Sequence, residues 1–226
     1  MTEKLLSSWD ETKANSSYHF DTTKVDARWD TIIGLGKFKN VWADEIDNIV
    51  EDSHAVNWAT RGYKGMGIEA PAEEVEKEEY DLIRAGYDPK LTVSHLNWAI
   101  PTCLLAISNK FALEQPMNRI HVQMPGEMWN LHIDKLQKWC PDDPSRIMRI
   151  FIQLTEWEPG QFWEYGNFHY NRWSAGDCTT FDWQNTPHST ANAGQHPRVT
   201  LQITGNKTPS TDVFLRELKN TSAYEL

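Results

Sequence analysis

A chain of 226 residues, 39% hydrophobic and 24% charged, has room for one ordinary folded domain with an elaborated flank and excludes a disordered or fibrous class. Its formal net charge of -10 argues against a sequence-independent nucleic-acid binder, which needs a cationic surface to displace counterions, so no nucleic-acid partner is expected. Cys103, Cys140 and Cys178 stand apart without a CxxC pair, which removes a disulfide framework and a zinc knuckle.

The opening MTEKLLSSWDETK has no cationic start followed by an apolar stretch, so no signal peptide is expected. The longest apolar stretch, Leu96 to Ile107, is too short to span a bilayer and carries Asn97, Pro101 and Thr102. A soluble, cytoplasmic protein without a membrane segment is the expectation. The eleven tryptophans offer large apolar surfaces, each with one N–H donor, for a thick core or a pocket.

Helical signals dominate up to about residue 115. Val41, Trp42, Ile46, Ile49 and Val50 recur at helical spacing with acids between them. Pro71 and the acids that follow it open a second helix, which Gly86 stops; its acidic run reads as a solvated face. A third helix is expected near Ser94 to Ala112, broken or bent at Pro101.

From Asn118 the pattern changes to short strands and turns. Arg119 to Met124 leads to the turn pair Pro125-Gly126, and Trp129 to Ile133 is a second run. Arg149 to Leu154 alternates at period two and closes at Glu158-Pro159-Gly160. Phe162 to Tyr165 meets Asn167 to Trp173 through Gly166-Asn167, a hairpin signal. Cys178 to Trp183 and Arg198 to Thr204 complete about seven strands, an antiparallel sandwich or barrel. The last dozen residues read as a helix or a loose tail.

The chemistry concentrates in His132-Ile133-Asp134, His188 and Arg198. Alternate residues of a strand share a face, so His132 and Asp134 project together and Ile133 turns away. Two imidazoles and one carboxylate form the ligand set of a non-haem Fe(II) site with open positions. Arg198 opens a strand, and its planar fork of donors suits a carboxylate. Thr200 shares the face of Arg198 and can add a hydroxyl. Arg149 is a second cation, able to neutralise another carboxylate. Gln123, Trp129, Asn130 and Trp163 are candidates for lining the pocket.

With these residues in hand, the segment from about Ile120 to Gly205 resembles the Fe(II)/2-oxoglutarate oxygenase superfamily. Within it, the likeness is closest to the aspartyl/asparaginyl β-hydroxylase-like branch. Arg149-Ile-Phe-Ile-Gln-Leu, Gly176-Asp-Cys-Thr-Thr-Phe-Asp, His188, Asn192 and Arg198 carry the likeness. The stretch from Pro125 to Lys135 also resembles oxygenases carried by tailed phages of marine bacteria. The best-known members of the branch have glycine where this chain keeps Asp134.

The resemblance implies a mainly β fold with flanking helices and a double-stranded β-helix (jelly-roll) core. It implies Fe(II) on His132, Asp134 and His188, with 2-oxoglutarate as co-substrate on Arg198 and Arg149; Thr200 and Gln123, from their positions in the strands, are further candidates for binding it. Ascorbate is the candidate reductant, and a small molecule or a peptide the candidate substrate. The expected organisation is a single oxygenase domain over 1–226: mainly helical support over 1–115, the jelly roll over 116–206 and a C-terminal tail over 207–226. Two other readings remain open here: a cupin-type metal protein that does not use 2-oxoglutarate, and a non-catalytic jelly-roll binding module.

Overall fold

The computed structural model describes residues 32–54, 94–96 and 100–226. The expected helix opening at Pro71 lies outside the described residues. The strands are β1 (Ile33–Lys37), β2 (Ser94–Leu96), β3 (Glu114–Gln123), β4 (Met128–His132) and β5 (Ile147–Gln153), followed by β6 (Gln161–Tyr165), β7 (Phe168–Tyr170), β8 (Asp177–Thr180), β9 (His188–Asn192) and β10 (Arg198–Asn206). The helices are α1 (Ile46–His54), α2 (Thr102–Lys110) and α3 (Pro209–Lys219).

Two antiparallel sheets result, a larger one in the order β1-β8-β5-β10-β3-β2 and a smaller one in the order β4-β9-β6-β7. From β3 onward the chain crosses between them: β3 lies in the larger sheet, β4 in the smaller, β5 in the larger, the β6–β7 hairpin in the smaller, then β8, β9 and β10 alternate again. This winding is a double-stranded β-helix, so the protein is mainly β with flanking helices. The strands β1 and β2 extend the two edges of the larger sheet.

The central strands of the larger sheet are buried on both faces, and their alternation sorts two different interiors. Along β10, Val199, Leu201 and Ile203 point one way and Arg198, Thr200, Gln202 and Thr204 the other, all buried. Along β5, Met148, Ile150 and Ile152 oppose Arg149, Phe151 and Gln153. The aliphatic face packs with Leu104 and Ile107 of α2, Phe111, Trp42, and Phe214 and Leu218 of α3 in one cluster. The second cluster joins Phe151 to Trp163, Tyr165, Phe181 and Trp183 between the sheets. The helices thus cover the oily side, and the polar side is left to face the smaller sheet. That inner space holds the candidate site.

Local chemistry sets the ends of these elements. Pro101 is the N-cap of α2, not a bend within a longer helix, because its ring supplies no N–H and fits the first turn, where none is needed. Of the stretch from Ser94 to Ala112 expected as one helix, Ser94–Leu96 is the strand β2 and Thr102–Lys110 is α2. Helix α3 starts with a capping box between Thr208 and Thr211 and a proline in its first turn. The chain then returns to β1 through Tyr224 N to Lys37 O at 2.7 Å, so the C-terminal segment is docked. Gly176 has φ of +94°, and a Cβ there would collide with the carbonyl oxygen of Phe38.

Candidate metal centre and anion pocket

His132 ends β4 and His188 begins β9, and the two are register partners across that antiparallel pair. Trp129 pairs with Thr190 in the same ladder, so three residues of β4 span two of β9 and a bulge lies between Trp129 and His132. Trp129 stands beside His132, with an indole-to-imidazole distance of 6.0 Å between centroids. Leu131 faces outward at 44% exposure. Asp134 stands two residues past the end of β4, so the strand carries the histidine and the chain leaving it carries the carboxylate.

The three side chains are buried, and one ligand atom from each lies within 4.8 Å of the others. His132 Nε2 is 3.6 Å from Asp134 Oδ1, and His188 Nε2 is 3.8 Å from Asp134 Oδ2. The Nδ1–H of His188 can donate to the Thr186 carbonyl at 3.1 Å, which leaves the Nε2 lone pair turned toward the carboxylate. Trp129 Nε1 donates to His132 Nε2 at 3.2 Å, so that nitrogen also presents a lone pair. Both imidazoles are therefore set as electron-pair donors. Two imidazole nitrogens and a carboxylate fit a divalent cation of the first transition row.

The electrostatics agree with that donor set. Burial, reinforced by His132, pushes the pKa of His188 down to about 3, so its ring is neutral over the physiological range. Burial is the strongest single influence on Asp134 and works against its ionisation, but Arg149 and the two histidines together outweigh it and hold the carboxyl well below its usual value. Arg149 Nη1 makes an ion pair with Asp134 Oδ2 that lacks hydrogen-bond alignment. A cation beside a buried carboxylate is what keeps it charged when no metal is bound.

Arg198 lies deeper, 1% exposed, at the start of β10 and opposite Gln123 at the end of β3. Its Nε donates to Gln123 Oε1 at 3.0 Å and its Nη2 to Thr190 Oγ1 at 3.1 Å. Its guanidinium carbon sits 4.5 Å from the centroid of Trp163. Burial lowers its pKa to about 10, which still leaves it charged at neutral pH. Nη1 remains buried without a hydrogen-bond partner among the described residues. Thr200 occupies the same face, and its hydroxyl donates to Gln153 Oε1 at 3.0 Å.

Other polar atoms between the sheets share the condition of Arg198 Nη1. Arg149 Nε, Trp163 Nε1 and Gln153 Nε2 are buried donors without partners, and the hydroxyls of Tyr165 and Thr179 are also unpaired. The unpaired acceptor Asn206 Oδ1 lies at the far end of β10 from Arg198. Each unmade bond of this kind costs about 1–3 kcal/mol, so an interior with several unpaired donors is a candidate site for a ligand rich in acceptors. Tyr165 stacks at 6.0 Å against His188, and burial raises its pKa well above the usual phenol value while the charges of Arg198 and Arg149 oppose the rise. Its hydroxyl thus sits in the field of both arginines.

The structure brings His132, Asp134, His188 and Arg149 together, and gathers Arg198, Gln123, Thr200 and Trp163 next to them. Tyr165, Thr190 and Gln153 were missed in the sequence. Tyr165 lies two residues after Trp163 on β6, and Thr190 two after His188 on β9, so period-two counting from a candidate already in hand locates both. His121 and His169 are not ligands of this group: His121 faces Phe151, and His169 Nδ1 meets Glu164 at 2.5 Å on the surface.

No family model matches the chain, and no curated protein matches it in sequence. Among solved structures, a prolyl-4-hydroxylase from Pseudomonas putida is 19% identical, with a TM-score of 0.44, over 78% of this chain and 92% of that one. A cupin 2 conserved barrel domain protein from Salinispora arenicola is 12% identical, with a TM-score of 0.33, over 55% and 84%. A predicted oxalate decarboxylase from Thermotoga maritima is 18% identical, with a TM-score of 0.32, over 50% and 78%.

Proposed function

We propose that the protein is an Fe(II)- and 2-oxoglutarate-dependent dioxygenase that hydroxylates an unactivated C–H bond. The observation that carries this reading is the pairing of a buried His-Asp-His group with a neighbouring interior whose leftover polar atoms are mostly donors. A metal site alone would not need Arg198 Nη1, Trp163 Nε1 and Gln153 Nε2. A dicarboxylate offers the acceptors they lack.

In this reading His132, Asp134 and His188 hold the iron, and Arg198 takes the far carboxylate of 2-oxoglutarate. When bound, ferrous iron with 2-oxoglutarate and dioxygen supplies an oxidant for the C–H bond, and 2-oxoglutarate leaves as succinate and carbon dioxide. The chain's own part is to bind, orient and keep the space dry. Thr186 fixes the tautomer of His188. Arg149 keeps Asp134 ionised, so the third ligand arrives already charged. Phe151, Trp163, Tyr165, Phe181 and Trp183 surround the group with aromatic surface. That surface excludes water and strengthens the field of both arginines.

Ascorbate serves as reductant, and the substrate is a small molecule or a peptide. The test is succinate release on adding Fe(II), ascorbate and 2-oxoglutarate in air. The expected result is release that Asp134→Ala abolishes and that Arg198→Ala restores only at much higher 2-oxoglutarate. Release unchanged in both variants would sink the assignment. Metal binding without any effect of 2-oxoglutarate would favour a cupin-type protein instead.

A further inference from the structure

Four indoles of this chain end their N–H on the backbone. Trp42, Trp157, Trp173 and Trp183 donate to the carbonyls of Leu154, Gln161, Thr155 and Ile147. Those acceptors belong to the fold itself. Trp129 instead donates to the side chain of a metal-ligand candidate, His132 Nε2, at 3.2 Å and with the two rings 75° apart. An indole N–H can only donate, so Nε2 must be the bare acceptor. Asp134 Oδ1, at 3.6 Å from the same nitrogen, lies beyond hydrogen-bond range. The indole thus holds the one lone pair through which His132 Nε2 can bind a metal.

The two partners exclude each other. A metal ion sits about 2.0–2.1 Å from an imidazole nitrogen along its lone pair, well inside the position of the indole nitrogen. The ring must therefore withdraw, and its place in the sheet allows this. Strand β4 lies at an edge, with β9 as its one partner among the described residues. Trp129 is half-buried there, whereas His132, Asp134 and His188 are buried. The N–H that leaves His132 needs a new acceptor, because a donor left dry and unpaired is costly.

We infer that Trp129 is a metal-gated donor at the solvent edge of the centre: it gives its N–H to His132 until an ion takes that nitrogen, and then to an acceptor atom of the substrate. The inference rests on the metal half of the proposed function and deepens it. A substrate with a carbonyl, carboxylate or hydroxyl at this point meets the donor only after the metal is bound. With no substrate present, water is the acceptor, which makes the release measurable.

The test uses the full chain, isotopically labelled at the indole nitrogens, in nuclear magnetic resonance with Zn(II) as the probe. Zn(II) accepts nitrogen and oxygen ligands and is diamagnetic. The Trp129 N–H signal is the one missing from Trp129→Phe. Without metal it should lie downfield and exchange slowly with water. One equivalent of Zn(II) should move it upfield and speed its exchange on the order of 10-fold, as expected for the loss of one hydrogen bond. The N–H signals of Trp42 and Trp183 should keep their exchange rates, and Asp134→Ala should show neither change at Trp129.

Zinc that binds one per chain by calorimetry, while the Trp129 signal stays in place or moves without faster exchange, would overturn the inference and leave the metal reading standing. The same change in Asp134→Ala would put the zinc elsewhere and overturn it as well. A wild type that binds no Zn(II) would overturn the metal reading, and the inference with it.

Discussion

At the scale of single residues, the site is a balance between burial and charge. Asp134 stays ionised because Arg149 is beside it, and His188 stays neutral because burial and His132 disfavour its proton. These shifts fix the acid sensitivity of the metal-free protein. The pKa of His188 is lowered from 6.5 to about 3 in the folded state, so between these values the unfolded chain holds the extra proton and stability falls as the pH falls. Asp134, also lowered, adds its own loss only below its ordinary value of 3.8. The expected melting temperature therefore declines from about pH 6.5 downward. In His188→Gln the decline between pH 6.5 and 4 should flatten; an unchanged slope in circular-dichroism melts would show that another group governs it.

Trp129 gives a second residue-scale prediction. Its indole N–H occupies the His132 lone pair that a metal ion would need. Trp129→Phe keeps the aromatic ring and removes that competitor, so Mn(II) should bind several-fold more tightly, a gain of about 1 kcal/mol. Weaker binding in equilibrium dialysis would mean that the indole orients the imidazole instead.

At the scale of elements, turns and ladders deliver these side chains. Gly176 leads into β8 with positive φ, and its N–H and C=O tie Gln153 and Phe38 together at 2.7 Å and 2.9 Å. Gly176→Ala should lower stability by about 2–4 kcal/mol, measured by chemical denaturation, because strain and collision add. A loss below about 0.5 kcal/mol would show that the turn relaxes freely. The strands with strong period-two patterns, such as Arg149 to Leu154 and Arg198 to Thr204, were legible from sequence, and so was the Gly166 hairpin. The β9 segment His188-Ser-Thr-Ala-Asn is not among the strands expected from the sequence, because small polar residues carry little strand preference and tertiary pairing with β4 and β6 decides it. The β4 bulge was invisible for a related reason: register is set by the partner strand. Of the candidate site, the His-Asp-His group and both arginines were legible as residue types, while Thr190 and Tyr165 follow from period-two counting only once β9 and β6 are known to be strands that face the interior.

At the scale of the whole molecule, helices cover the aliphatic face of the larger sheet, and this frees the opposite face to be polar and to meet the smaller sheet. The centre sits between layers that every crossing of the chain ties together. Metal binding should therefore be felt globally. At a free concentration one hundred times the dissociation constant, it should stabilise the fold by about 2.7 kcal/mol, or roughly 5–10 °C in melting temperature. Asp134→Ala should lose that shift, and an equal shift in the variant would place the metal elsewhere. In the proposed function, metal and dicarboxylate share one site. Titrating 2-oxoglutarate into anaerobic protein, with and without Fe(II), measures this most directly. One equivalent bound per chain, much more tightly with the metal than without it, is the predicted result; binding that is absent, or that ignores the metal, would contradict it.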